Sequence, residues 1–167
     1  MPKLHRLRPF IGLLLVAAGL LTPNLMLAKV LLALSAFLFI SHLLFQMVWL
    51  AYKHTKKGAF DKAEKMLQWS NLNLLLPFHR PYYQFVKSMI AIRKEEVAVA
   101  KQALLESLKP SLPKKDQAIA LMHLATLAIQ EQQFPEAQSY LAQVKSISLN
   151  DLVLKEQIAV LEKRLSQ

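Results

Sequence analysis

The sequence predicts an all-α chain: a two-helix transmembrane hairpin, then an α-solenoid of about three helix pairs closed by a C-terminal capping helix. Three observations carry this expectation. An apolar run extends from Pro9 to Tyr52 with one break, a residue pattern returns every 37 positions after Gly58, and no Asp or Glu occurs before Asp61. With 167 residues the chain has room for one domain of ~100 to 200 residues, or a smaller one with an anchor.

Charge placement favours the anchor. Residues 1–60 carry seven basic side chains (Lys3, Arg6, Arg8, Lys29, Lys53, Lys56 and Lys57) and so contribute +7 of the formal net +10. The remainder sets 14 basic residues against 11 acids. Positive charge flanking apolar runs is the pattern of chains that meet anionic lipid headgroups. The basic excess therefore points to a lipid bilayer, and no nucleic-acid partner is expected.

Within the apolar run, Thr22-Pro23-Asn24 is the break, because proline blocks helix continuation and asparagine suits an N-cap. The first helix is expected over about 9–21 and the second over about 25–53, dividing the chain into an anchor (1–56) and a helical domain (57–167). The first is short: ~13 residues rise only ~20 Å against a ~30 Å hydrocarbon core, so its basic flank must snorkel or the bilayer must thin. Basic residues cluster at KLHRLR and KHTKK, with Lys29 alone in the turn. Both ends of the hairpin are therefore expected on the cytoplasmic side of an inner membrane of bacterial type. A cleaved leader has a similar outline, yet Met26-Leu27-Ala28 is a poor cleavage site and a longer apolar segment follows at once.

Three polar residues of the second helix, Ser35, His42 and Gln46, are spaced to share one stripe, and polar groups in hydrocarbon need protein partners. The stripe is expected to face a helix, by an interhelical hydrogen bond to the first helix or to another subunit. A haem-ligand or proton-relay role for His42 is the alternative; bis-histidine ligation would need a second intramembrane histidine. Gly12, Ala18 and Gly19 give the first helix small surfaces for close packing.

After Lys57 the apolar spacing turns helical and repeats. Gly58-x-Phe60-x-x-Ala63-x-x-x-Leu67 recurs as Glu95-x-Val97-x-x-Ala100-x-x-x-Leu104 and as Gln132-x-Phe134-x-x-Ala137-x-x-x-Leu141. These residues resemble the second-helix half of the tetratricopeptide repeat, and Leu121, Leu124, Ala125 and Ala128 fall at the positions of its first helix. The resemblance covers about residues 47–147; the pitch exceeds the family's usual ~34 residues, Pro110 and Pro113 match its closing proline loosely, and Ser88 and Ala91 make the middle copy weak. It implies stacked helix pairs whose alanines allow close crossing and whose groove binds a protein segment. Counting back from Gly58 puts Leu50 and Ala51 at first-helix positions, so the second membrane helix is expected to begin the array. A final amphipathic helix, about Asp151 to Leu165 with Leu152, Ile158, Leu161 and Leu165 apolar, is expected to cap it.

The segment from Trp69 to Phe85 is too apolar for an ordinary loop. Trp69, Phe78, Tyr82 and Tyr83 are expected either to be buried between repeats or to face the membrane interface or a partner. No cysteine is present and only three glycines, so thiol chemistry and phosphate-cradling loops are excluded. Glu95 and Glu96 are adjacent on a helix and cannot face one another as a catalytic pair. No histidine has a metal-ligand neighbour at i+4, and His123 is expected to be a groove-facing or partly buried polar residue. No enzyme activity, cofactor, metal or small-molecule substrate is expected. The expected role is a membrane-anchored scaffold or adaptor for protein–protein interaction and complex assembly; the alternative is an accessory subunit of a larger membrane complex that docks through its hairpin. The outline is similar to that of larger hairpin-plus-repeat membrane proteins associated with bacterial haem biosynthesis, with no shared motif.

Overall fold

The computed structural model describes residues 3–109, 112–147 and 151–165. Among these the chain is all-helical, with eight α-helices, one short 3-10 turn and no strand. Helix α1 covers Lys3–Leu21 and α2 covers Leu25–Lys56. Asn24 caps α2, its side-chain oxygen accepting from the Met26 and Leu27 amides at 3.0 and 3.2 Å. The break at Pro23 is thus also a helix start. The first helix begins six residues earlier than Pro9, where the sequence placed its start. Pro9 is the seventh residue of this helix, past the first turn where proline costs nothing, and the helix runs through it at the loss of one backbone bond. The added turns lengthen α1 to 19 residues, or ~28 Å. Pro110 lies outside the described residues.

Helix α1 packs along the first part of α2. Ser35 Oγ donates to the Gly12 carbonyl at 2.9 Å. A Cβ added to Gly19 would lie 3.4 Å from the Ala28 carbonyl oxygen and from the Leu32 side chain. These small residues let the two backbones approach. Ala18, read with them as small packing surface, is exposed.

The rest of the chain is α3 (Phe60–Gln68), the 3-10 turn Leu72–Leu74, α4 (Arg80–Arg93), α5 (Val97–Ser107), α6 (Lys114–Gln130), α7 (Phe134–Ser146) and α8 (Leu152–Leu165). Helix α2 packs on α3, α4 on α5 and α6 on α7, while α3 meets α4 and α5 meets α6. One apolar core runs through all of them, from Phe45 and Val48 on α2 to Leu154 and Leu161 on α8. The core thus begins inside α2, ahead of residue 57. On α8 the buried stripe is Leu154 and Leu161 with Ile158 and Leu165 partly covered; Leu152, two residues off that stripe, is 71% exposed.

The 37-residue period is written in the backbone. The chain leaves α2, α4 and α6 through Gly58, Glu95 and Gln132, with φ of 72°, 61° and 59°. At each junction the following amide closes back onto the helix: Ala59 to His54, Glu96 to Ala91 and Gln133 to Ala128, at 2.9, 2.9 and 2.8 Å. Gly58, Glu95 and Gln132 themselves donate to Thr55, Ile92 and Ile129. These paired bonds satisfy the last carbonyls of each helix and need a left-handed residue between them. Only the first junction has glycine there, and no atom lies within 4 Å of where its Cβ would stand. Left-handed backbone costs other residues ~1 to 2 kcal/mol. Glu95→Gly and Gln132→Gly are therefore expected to raise the melting temperature of the full chain in detergent by about 2 to 4 °C each, and Gly58→Ala to lower it comparably. Circular dichroism melts check the three signs; stabilisation of the chain by Gly58→Ala would contradict the strain account.

Candidate functional site

Helix α2 has two surfaces and serves both ends of the molecule. Ser41, Phe45, Val48 and Tyr52 recur at helical spacing and are buried with Ala51, while Leu34, Phe37, Ile40, Leu43, Met47 and Leu50 on its other faces remain exposed. At 32 residues, or ~48 Å, it outruns a ~30 Å hydrocarbon core. It is the helix among the described residues that is long and apolar enough to cross a membrane; Ile11–Leu21 is a shorter apolar stretch.

An aromatic cluster forms where the buried face of α2 meets α4. The His79 ring stacks on Phe45 with centroids 3.7 Å apart, and Tyr82 stands edge-on to Phe45, Trp49 and Tyr52. Below it, Tyr52 Oη donates to Asp116 Oδ2 at 2.8 Å, and Lys56 Nζ lies 3.7 Å from the other carboxylate oxygen. Asp116 is 2% exposed. This pair ties α2 to α6 across 64 positions of sequence, and a buried carboxylate is stable only with such partners. Burial raises the Tyr82 pKa, with the Asp116 charge adding to it, so the phenol stays protonated and neutral.

The first helices of the three pairs share an open apolar hollow of about 270 Å³. Thr55 and Lys56 come from α2, Phe85, Met89, Ile92 and Arg93 from α4, Ile119 and His123 from α6, and Phe60 closes one side. Lys56 and Arg93 supply its charge; the rest is apolar or neutral. Its neighbour, lined by Val97, Ala100, Thr126 and Leu127 among others, also reaches His123. Such a surface suits an apolar helix or extended segment with acid nearby.

His123 links the two hollows. Burial holds its pKa below the ordinary value, since the charged form loses its water. The unfolded chain then takes up the proton first as pH falls through ~6.5, so stability present above that value is lost below it. Melting temperature is expected to fall between about pH 7 and pH 5 more steeply in the native chain than in His123→Gln. Parallel slopes would remove His123 from the titration.

The residues singled out in the sequence fall as follows. Ser35 is buried against Gly12, His42 is partly buried, and Gln46 is exposed, its amide 3.5 Å from His42 Nε2. Ala63, Ala100 and Ala137 are each fully buried, as are Leu67, Leu104, Leu141, Leu124 and Ala125 within a few per cent. Phe60 is partly buried and Val97 is 38% exposed, and both border the hollows; Phe134 is 46% exposed, so none of the three fills the core. Tyr82 and Tyr83 are partly buried on α4; Trp69 and Phe78 face outward. No group of three His, Asp or Glu able to hold a metal occurs among the described residues.

Tyr52, His79 and Asp116 escaped sequence reasoning. Asp116 looks like an ordinary acid in the first turn of α6, and only its partner 64 residues away distinguishes it. Comparison with known proteins finds no matching family model, no matching curated protein and no matching solved structure.

Proposed function

We propose that this chain is a membrane-anchored, tetratricopeptide-like scaffold that holds a segment of another protein in the hollow spanning α2, α4 and α6, at the cytoplasmic face of a membrane. The observation that carries the proposal is the continuity of α2, whose exposed apolar length runs without a joint into the core of the helix pairs. A core helix of a water-soluble protein would have that length covered; here most of it is bare, which supports a lipid environment. The recurring junctions after Gly58, Glu95 and Gln132 support a repeat array in which α1 and α2 form the hairpin and α8 the cap. Basic residues at both hairpin ends support cytoplasmic termini, and reporter fusions that find the C-terminus outside would overturn that orientation.

The test places a photo-crosslinking residue at Met89, in the hollow, or at Leu105, exposed on α5, within the full chain in native membranes. Capture of one client from Met89 and not Leu105, abolished by Ile92→Glu, is expected. Equal capture from both positions would refute the groove.

A second reading, an accessory subunit that docks through its hairpin, has one observation in its favour. His42 Nδ1 is buried without a hydrogen-bond partner among the described residues, and exposed Gln46 lies beside it. His42→Leu is expected to leave insertion intact and weaken association with a partner helix, since it removes a polar contact and raises hydrophobicity. Co-purification unchanged by the substitution would count against docking through this face.

A further inference from the structure

We infer that the segment from Trp69 to Phe78 is a second membrane contact, lying at the boundary between headgroups and hydrocarbon beside α2, so that the helix pairs are seated on the bilayer in one orientation. The inference rests on the reading of α2 as a membrane helix and adds a surface to it.

The segment is fixed to α2 at a definite height. Ser70 Oγ donates to the Leu44 carbonyl at 3.4 Å, and the Leu76 amide donates to Ser41 Oγ at 3.2 Å. The His79 stack on Phe45 holds its far end, and Leu75 is buried beneath it at 1% exposure. A span of ~20 residues crosses the ~30 Å hydrocarbon core, so α2, counted from its first residue Leu25, leaves it near Leu44. Ser41 and Leu44 therefore mark the level of that boundary, and the segment hangs from α2 at the same level.

What the segment turns outward fits that level. Trp69 is 78% exposed, Leu74 41% and Phe78 38%. No Asp, Glu, Lys or Arg occurs from Trp69 through Phe78, and the first charge after it is Arg80, whose Nε donates to the Leu75 carbonyl. An apolar stretch with tryptophan and phenylalanine, followed by a basic residue, matches the interfacial belt, where aromatic rings sit among headgroups and cations pair with lipid phosphates. Water would leave these side chains uncovered at a cost that the bilayer removes. Leu43 and Met47 on α2, exposed at the same height, continue the apolar belt.

The chain has two tryptophans, Trp49 and Trp69, so Trp49→Phe leaves Trp69 as the reporter. A second variant, Trp49→Phe, Trp69→Phe and Phe39→Trp combined, reports from an exposed position on α2 about five residues, or ~7 Å, inside that boundary. Each full chain is reconstituted into phosphatidylcholine and phosphatidylglycerol vesicles, with lipids brominated near the top of the acyl chains or near their ends. Trp69 is expected to lose most of its emission to the shallow bromines and little to the deep ones, and to resist quenching by iodide. If the Phe39→Trp reporter is quenched by bromine while Trp69 answers only to iodide, α2 is in the membrane and this inference is wrong. If Trp69 is shielded from iodide yet untouched by bromine, protein rather than lipid covers it, and the inference is again wrong. If the Phe39→Trp reporter escapes bromine as well, the membrane reading of α2 falls and this inference with it.

Discussion

A fragment consisting of residues 57–167 is expected not to fold, although it holds every helix from α3 to α8. The pair begun by α3 has α2 as its other half: Phe45, Val48, Ala51 and Tyr52 are buried at 6% exposure or less against it and against α4. Burying a large apolar side chain contributes roughly 1.5 to 3 kcal/mol, so losing Phe45, Val48 and Tyr52 together removes most of the ~5 to 15 kcal/mol that holds a domain. The same cut takes away the hydroxyl that bonds Asp116 and uncovers Leu67, Leu75 and Phe85, which leaves an apolar face prone to aggregation. A fragment of residues 41–167, which restores the buried turns of α2, is expected to melt cooperatively. Within it Tyr52→Phe should cost about 1.5 to 3 kcal/mol, the range for a hydrogen bond to a charged group. Circular dichroism of the two fragments decides the matter: a cooperative melt of 57–167 near that of 41–167 would show that α2 is dispensable to the array.

What the sequence revealed, and what it hid, divides by range. The Asn24 cap and the break before it were legible because capping depends on three or four neighbouring residues. The 37-residue period was legible for a related reason: each copy is a local helix–turn unit, and the structure repeats it down to the bonds from Ala59, Glu96 and Gln133. Pro9 misled, because a proline marks a probable and not an obligatory helix boundary, and α1 runs through it as its seventh residue at the loss of one backbone bond. The Trp69–Phe85 stretch could not be divided from sequence alone. Apolar character is the same for Leu75, which goes inside, and Trp69, which stays out, and the division is made by α2 contacts some 30 residues away. The Tyr52–Asp116 pair is of the same kind, a tertiary contact between residues each unremarkable in its own helix. The hollow lined by Met89, Ile92 and His123 was implied only in outline, since its walls come from three separate helices.

Ala100→Trp and Ala137→Trp are each expected to unfold the helix pairs or lower their melting temperature sharply, while Ala98→Trp is tolerated. Ala63, Ala100 and Ala137 have no exposed surface, and the helices before them are small and fully buried at Ala51, Ser88 and Ala125. Small residues on both sides let helix backbones cross closely, so an indole ring has no space to enter without separating α4 from α5 or α6 from α7. Overpacking a filled site typically costs ~1 to 3 kcal/mol for far smaller additions than an indole. A domain of so few packed helices has little stability from elsewhere to offset that. Ala98 tests the register because it lies on the same helix, two residues away, and is exposed; there the ring extends into solvent and only its helix propensity changes, by a few tenths of a kcal/mol. Melts of the full chain in detergent, followed at a helical band, compare the three variants directly. Equal damage from Ala98→Trp and Ala100→Trp would mean that the buried face of α5 is misassigned, and with it the repeat register that places Ala63, Ala100 and Ala137 at equivalent crossings.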